Sequence, residues 1–330
     1  MSDQMLVDRY NRHLTYLRLS VTDRCNLRCV YCVPADRIRR LSHEDILRYE
    51  EILRIVGIGV SLGITKVRVT GGEPLVRKGV LDFLKALHAL PALSEVTLTT
   101  NGVLLTEYIE AIQKAGVARI NISLDTLQRE KFENITGRDA FDQVWAGIQS
   151  ALRRHFHPVK INVVALRGIN EDELLDFARL TVDSPLHVRF IEYMPIGKSR
   201  MQFGPPLLVP EIKERLRSLG ELKPVASSGA AGPAEQFQLA GAAGEIGFIS
   251  ALSHHFCSTC NRLRLTASGQ LRPCLLSDQQ LDLRGPLRAG ASDAEVAEIF
   301  RRAVRCKPSD HNLTANEPSG VSCQMSSLGG

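Results

Sequence analysis

The chain is short of residues that several functional classes require. Aromatic residues make up only 5% of it, with one tryptophan in 330 residues. That is thin support for the stacking platforms on which nucleic-acid bases are held. No stretch approaches the roughly 18 consecutive apolar residues of a membrane span. The opening MSDQMLVDRYNRHLTYLRLS has neither the apolar core nor the cleavage site of a secretory signal. Excess charge is also scarce, since 41 Lys and Arg against 36 Asp and Glu leave +5. Such mild basicity suits an anionic small molecule as well as nucleic acid. We therefore expect a cytoplasmic globular protein with no membrane and no nucleic-acid partner. In that compartment its eight cysteines read as metal ligands or free thiols rather than disulfides. The length is enough for one large domain or two.

What is present is periodic. Six short β-branched segments alternate with helical patterns: TYLRLSVT (15–22), KVRVT (66–70), EVTLTT (95–100), RINISL (119–124), VKINVVAL (159–166) and HVRFIEY (187–193). The first helix is predicted to open at Ser42 and Asp45, which have capping-box spacing, and to continue through Ile46, Leu47, Ile52, Leu53, Ile55 and Val56. Six βα units argue for a parallel sheet with helices outside it. The fold class is therefore α/β, a partial (βα)6 TIM-like barrel, with an open doubly wound sheet as the alternative. After Gly204-Pro205-Pro206 the pattern changes. A charged helix near 210–219 leads to the small-residue loop ASSGAAGPAE, then to EIGFIS, RLRLTA, a helix near 293–304 and a polar tail. We divide the chain into a barrel over 1–220 and a C-terminal region over 221–330.

Functional groups of parallel barrels gather at the carboxyl ends of the strands. Cys25, Cys29 and Cys32 follow the first strand here, and Gly71-Gly72-Glu73-Pro74 the second. Thr99, Thr100 and Asn101 end the third, Ser123 and Asp125 the fourth, and Met194 follows the sixth. That recurrence points to one pocket. The C-x3-C-x2-C loop supplies three thiols, whereas structural zinc closes with four ligands, usually in CxxC pairs. Three thiolates on a four-iron cluster leave one iron open to a small molecule. Zinc completed by His13 or His43, or unligated thiols, is the alternative. Cys257, Cys260 and Cys274 supply three thiols again, with zinc completed by His254 or His255 as the competing reading.

Cations interrupt the apolar strands at Arg18, Arg68, Lys160 and Arg189, and Arg262 and Arg264 alternate with leucines so that both guanidiniums share a face. Buried cations need partners. Arginine forks match phosphate oxygens, so a polyanion such as a nucleoside triphosphate fits. Salt bridges to Asp125, Glu192 or Glu73 are the alternative.

CNLRCVYC, with Tyr31 before its last cysteine, and GGEP resemble the radical S-adenosylmethionine (SAM) superfamily. Together LRLSVTDRCNLRCVYC, VRVTGGEPLVR, TLTTNG, NISLDTL, FCSTCNRLRLTASGQLRPCL and the Gly-Gly end are similar to one family within it, molybdenum cofactor biosynthesis protein A, the GTP 3′,8-cyclases. The resemblance covers nearly the whole chain; 226–244 aligns with nothing. It implies two 4Fe–4S clusters, on Cys25, Cys29 and Cys32 and on Cys257, Cys260 and Cys274. It implies SAM contacts at Tyr31, Gly72, Ser123 and Met194, and GTP contacts at Arg18, Arg68, Thr99, Lys160, Arg262, Leu263 and Arg264. The implied reaction is that of a radical SAM lyase. A deoxyadenosyl radical takes the ribose C3′ hydrogen, the C3′ radical attacks guanine C8, and reduction gives the cyclic dihydro-GTP. The implied partners are an electron donor and a downstream cyclic pyranopterin monophosphate synthase, and a homodimer is left open. Chain ends ordinarily fray, but the resemblance implies that Gly329 and Gly330 enter the pocket and act in the radical step. Cys306 and Cys323 match no cluster ligand and read as ordinary thiols. A peptide-modifying radical SAM enzyme and a zinc-stabilised nucleic-acid-binding protein are the competing functions.

Overall fold

The computed structural model describes residues 5–32, 40–197, 204–226, 232–311, 313, 321 and 323–329. Six parallel strands lie side by side in chain order: β1 (Tyr16–Ser20), β2 (Lys66–Thr70), β3 (Glu95–Thr100), β4 (Arg119–Ser123), β5 (Val159–Ala165) and β6 (Leu186–Glu192). Each falls within, or within one residue of, the β-branched run that predicts it. The intervening helices bury one apolar stripe each, for example Ile52, Ile55 and Val56 on Tyr49–Ser61 and Val144, Ile148 and Ala151 on Phe141–Arg153. Outer strand faces and helix stripes form one continuous core. This is the partial barrel, and the doubly wound alternative falls away.

The first helix starts later than its spacing predicts. Asp45 N–H does donate to Ser42 Oγ at 3.2 Å, but this closes only an isolated turn. The backbone beyond it is committed elsewhere: Leu47 N–H donates to the Ala267 carbonyl (2.9 Å), and the Leu47 carbonyl accepts from Arg77 (2.7 Å). The helix begins at Tyr49 instead, with Glu51 accepting from Arg48 N–H at 2.6 Å.

The C-terminal strands extend the same sheet at both edges. β7 (Leu222–Pro224), β8 (Glu235–Leu239) and β9 (Glu245–Ile249) form an antiparallel meander whose last strand runs parallel to β6. β10 (Arg262–Leu265) runs parallel to β1, and β11 (Gln270–Arg272) and β12 (Leu281–Asp282) follow it outward. The unaligned segment 226–244 thus contains a strand, β8, which its composition did not announce. Helix Asp293–Arg305 opens with a Ser292–Glu295 capping box and packs Phe300 beside Gly59 of the first helix.

Candidate active site

Strand register builds the barrel interior. At one level Arg272, Arg264, Arg18, Arg68 and Thr97 are successive cross-strand partners on β11, β10, β1, β2 and β3. At another, Thr99, Asn121, Lys160, His187 and Glu245 are partners across β3, β4, β5, β6 and β9. Arg262 is the partner of Tyr16, two residues before Arg18. Six of the expected GTP contacts therefore share two or three adjacent levels. Leu263 alternates to the other face and is fully buried in the core, so only its backbone is available inside.

The interior cations are not neutralised by the carboxylates that offered an alternative. Asp125 accepts from Tyr31 Oη (2.6 Å) and Val164 N–H (2.8 Å). Glu73 accepts from Leu75 N–H, Thr100 Oγ1 and Asn101 N–H. Glu192, fully buried, takes Val209 N–H, Leu252 N–H, Ser253 N–H and the Ser253 hydroxyl. Among the described residues no ion pair joins Arg68, Lys160, Arg189, Arg262 or Arg264 to a carboxylate. Burial, then the nearby Arg189, Arg119, Arg68 and Lys66 charges, push Lys160 down to about 6. Burial and the Lys160 charge likewise push His187 down to about 3, which leaves it neutral beside Glu245. Such crowding of like charge calls for an anion. A cavity lined by Arg18, Arg68, Arg189, Arg262, Arg264 and Met194 opens from here onto Cys257, Cys260 and Cys274. Lys160 and Thr99 are not among its lining residues.

The first triplet sits on the loop after β1. Asn101 Nδ2 lies 3.6 Å from Cys25 Sγ, and Leu27 N–H points at the same sulfur at 3.4 Å. The loop is pinned to the glycine segment, with Gly72 N–H on the Thr22 carbonyl (2.7 Å) and Glu73 N–H on that of Arg24 (2.8 Å). A Cβ on Gly72 would lie 2.5 Å from the Arg24 carbonyl oxygen. Glycine is thus required here by the chain's own backbone, a reason additional to ligand approach. Burial pushes all three thiols up, Cys29 further through Cys32 and Asp125, and Cys32 to about 12 with Cys25 and Asp125 contributing. Three thiolates cannot share this space without a cation to hold them.

The second triplet has cationic company. Lys307, buried, donates to the Arg262 carbonyl (2.9 Å) and the Pro273 carbonyl (2.7 Å), with Cys260 Sγ at 3.5 Å. Buried Arg12 donates to the Cys257 carbonyl (2.7 Å) and is paired with Asp8 (2.6 Å). Burial would raise Cys260, but Arg262 and Lys307 bring it down to about 6; burial and a bond with Asp310 push Cys257 up to about 12. His254 is exposed, and His255 turns to Asp310 (3.2 Å), its ring 4.0 Å from that of His311 at a 41° tilt.

Sulfur spacing tests what these triplets can hold. A single tetrahedral zinc with 2.3 Å bonds sets its sulfurs about 3.8 Å apart. Among the described residues, neither triplet gathers its three sulfurs within 4.8 Å of one another. His13 and His43 are exposed. The donor sets fit a polynuclear cluster better than one ion.

The tail reaches the carboxyl ends of β1 and β2. Short helix Met325–Leu328 packs Leu328 with Ile196 and Val321, and Met194 and Met325 lie against that cluster. The Gly329 carbonyl accepts from Arg264 Nη1 at 2.9 Å in a buried setting. A Cβ on Gly329 would lie 2.6 Å from Thr70 Cγ2, so the residue is seated at the ends of β1 and β2 with φ +73°. Gly330 lies outside the described residues. Ser123 ends β4 opposite Asn162 on β5, near the loop that holds Asp125.

The radical SAM superfamily pattern matches residues 19–181 and the Molybdenum Cofactor Synthesis C pattern matches 186–313. A GTP 3′,8-cyclase of Heliobacterium modesticaldum is 48% identical over 98% of this chain and 100% of its own length. The chain belongs to the GTP 3′,8-cyclase family. A second member, from Moorella thermoacetica, is 49% identical over 93% of this chain and 95% of its own. Streptococcus suis SuiB, solved bound to S-adenosylmethionine, superposes with TM-score 0.61 at 15% identity over 88% of this chain and 69% of SuiB, which shows the fold. Family membership removes the zinc-stabilised nucleic-acid-binding reading.

Sequence reasoning missed Lys307, Arg12 and Arg272. Lys307 closely follows a helix end and reads as a solvated C-terminal cation. Only register over more than 40 residues reveals that it ties β10 to the Cys274 loop.

Proposed function

We propose that this protein is a GTP 3′,8-cyclase. It converts GTP to (8S)-3′,8-cyclo-7,8-dihydroguanosine 5′-triphosphate, the first step of molybdenum cofactor biosynthesis, with two 4Fe–4S clusters and SAM. The observation that carries this reading is near-full-length identity to cyclases in a chain whose cation-lined cavity opens onto a second cysteine triplet. When bound, the clusters and SAM supply one-electron reduction and abstraction of the ribose hydrogen atom. In our reading Cys25, Cys29 and Cys32 hold the cluster that binds SAM, and Tyr31, Gly72, Ser123 and Met194 contact SAM. Tyr31 is oriented for this by its bond to Asp125. Cys257, Cys260 and Cys274 hold the second cluster, which faces the guanine.

Arg18, Arg68, Thr99, Lys160, Arg262 and Arg264, with the Leu263 backbone, receive GTP. The guanidiniums of Arg264, Arg18 and Arg68 on one strand level, with Arg262 two residues away, support a triphosphate there. Gly329 and Gly330 reach the reacting ribose without filling the cavity, the Gly329 N–H being held by the Met325 carbonyl at 3.2 Å. In this reading residues 1–220 carry the SAM-cluster loop together with Arg18, Arg68, Thr99 and Lys160 for GTP, and 221–330 add the second triplet, Arg262, Leu263 and Arg264. We further propose a cytoplasmic enzyme, reduced by an electron donor, whose product passes to a cyclic pyranopterin monophosphate synthase. Among the described residues no helix is long and apolar enough to cross a membrane.

Anaerobic purification with iron and sulfide counts, then SAM cleavage with and without GTP, tests the reading. About eight irons per chain and a GTP-dependent cyclised nucleotide are expected. Cleavage that yields no nucleotide product, with a peptide modified instead, would return the peptide-modifying alternative.

A further inference from the structure

Cys323, which the sequence left as an ordinary thiol, touches a fully buried guanidinium. Arg272 Nη1 lies 3.0 Å from Cys323 Sγ. The other contacts of Arg272 are the Ser277 carbonyl, Gln280 Oε1 at 3.3 Å and Asp278 at 3.6 Å, while Nε has no acceptor. Arg272 and Arg264 are directly opposed on β11 and β10, so their side chains leave the same face of the sheet. Arg264 holds the Gly329 carbonyl. The same strand pair therefore grips the tail at two points, 323 and 329.

Between the grips two apolar side chains anchor the tail. Met325 and Leu328 pack with Ile196, Val321, Leu275 and Leu276, joining the loop after β6 to the loop after Cys274. Gly197, at φ +67°, lets the chain pass, since its Cβ would lie 2.8 Å from the Cys323 carbonyl oxygen. A glycine-ended tail loses much conformational entropy on ordering and needs such anchors.

We propose that Arg264 and Arg272 form a two-point clamp that positions the C-terminal tail, with Cys323 as its outer grip. Cys323 is a positioning residue: it touches no reacting atom and acts through the register of Gly329. The consequence for turnover rests on the proposed role of Gly329 in the cyclase reaction.

The test uses the cluster-loaded protein with Cys323→Ala and Cys323→Ser, because a hydroxyl keeps an acceptor for Arg272 and a methyl does not. Hydrogen exchange of 321–329 should speed up about ten- to hundredfold in Cys323→Ala, the scale of one hydrogen bond to a charged group. It should stay near wild type in Cys323→Ser. The ratio of cyclised nucleotide to deoxyadenosine should fall in the alanine variant alone, with iron content unchanged. Wild-type exchange in Cys323→Ala, or equal loss in both variants, overturns the clamp. Faster exchange with an unchanged product ratio upholds the clamp and instead removes Gly329 from the reaction.

Discussion

Asp125 and Glu73 act on the thiols of the first triplet, whereas Arg262 and Lys307 act on Cys260 in the second, with Asp310 beside Cys257. The first loop is held by backbone bonds to the glycine segment, the second by cationic side chains that reach carbonyls. Cys260 is thus brought down where all three thiols of the first triplet are pushed up. Net charge and hydrogen bonding around a cluster set its potential, so clusters held on the two triplets would differ in electron affinity. The carboxylates of Asp125 and Glu73 lie with the first triplet, and the cation-lined cavity opens onto the second.

The strongest test separates the triplets outright. Replacing Cys25, Cys29 and Cys32 together should roughly halve the iron and abolish SAM cleavage. Replacing Cys257, Cys260 and Cys274 should also roughly halve it but leave slow cleavage without cyclised product. Zinc in the anaerobically prepared second site would break the comparison. Deleting Gly329 and Gly330 should come next in severity. Both clusters and SAM binding should survive, and the cyclised nucleotide should fall severely; wild-type turnover would show that the tail is only packing.

The difference in field has its own readout. In the two single-cluster variants, redox titration followed by electron paramagnetic resonance should find the second centre more easily reduced. One partly buried charge near 4 Å at an effective dielectric of about 20 corresponds to a gap on the order of 100 mV. Lys307→Met should narrow that gap, and equal potentials in the two variants would remove the electrostatic contrast. Arg262→Ala or Lys160→Ala should weaken GTP about ten- to hundredfold with SAM affinity unchanged. Unaltered GTP affinity in both would take them out of the site.

The smallest effect is a pH slope. Lys160 sits at about 6 in the ligand-free protein, so it is neutral at higher pH. A phosphate beside it restores the charge, so GTP binding takes up a proton and weakens by up to about tenfold per pH unit above that value. Calorimetry in buffers of different ionisation enthalpy measures the uptake, and Lys160→Met should abolish it. Proton release on binding would contradict this assignment.

The six parallel strands and the helix stripes were legible because alternation and the 3.6-residue period are local signals. The cysteine triplets were legible as spacing. What was not legible depends on register. Ser42 and Asp45 have the right spacing for a helix start, yet the Ala267 carbonyl and Arg77 claim the next backbone groups. Leu263 belongs to the RLR run but faces the core. Arg272 and Lys307 look like surface cations until strands far apart in sequence bring carbonyls, and a thiol, to them.

The sheet order also bears on how the chain is made. The side-chain bond between Asn261 and Thr15 spans 246 residues, and β10 is what covers the outer edge of β1. At ordinary ribosomal speed that interval lasts roughly 12–50 s. Throughout it β1 is an open edge whose backbone can pair with another nascent chain. An inward-pointing charge is a known protection for such edges, and Arg18 lies in the middle of this one. The guanidinium that lines the finished cavity is thus placed to guard this edge while the chain is being made.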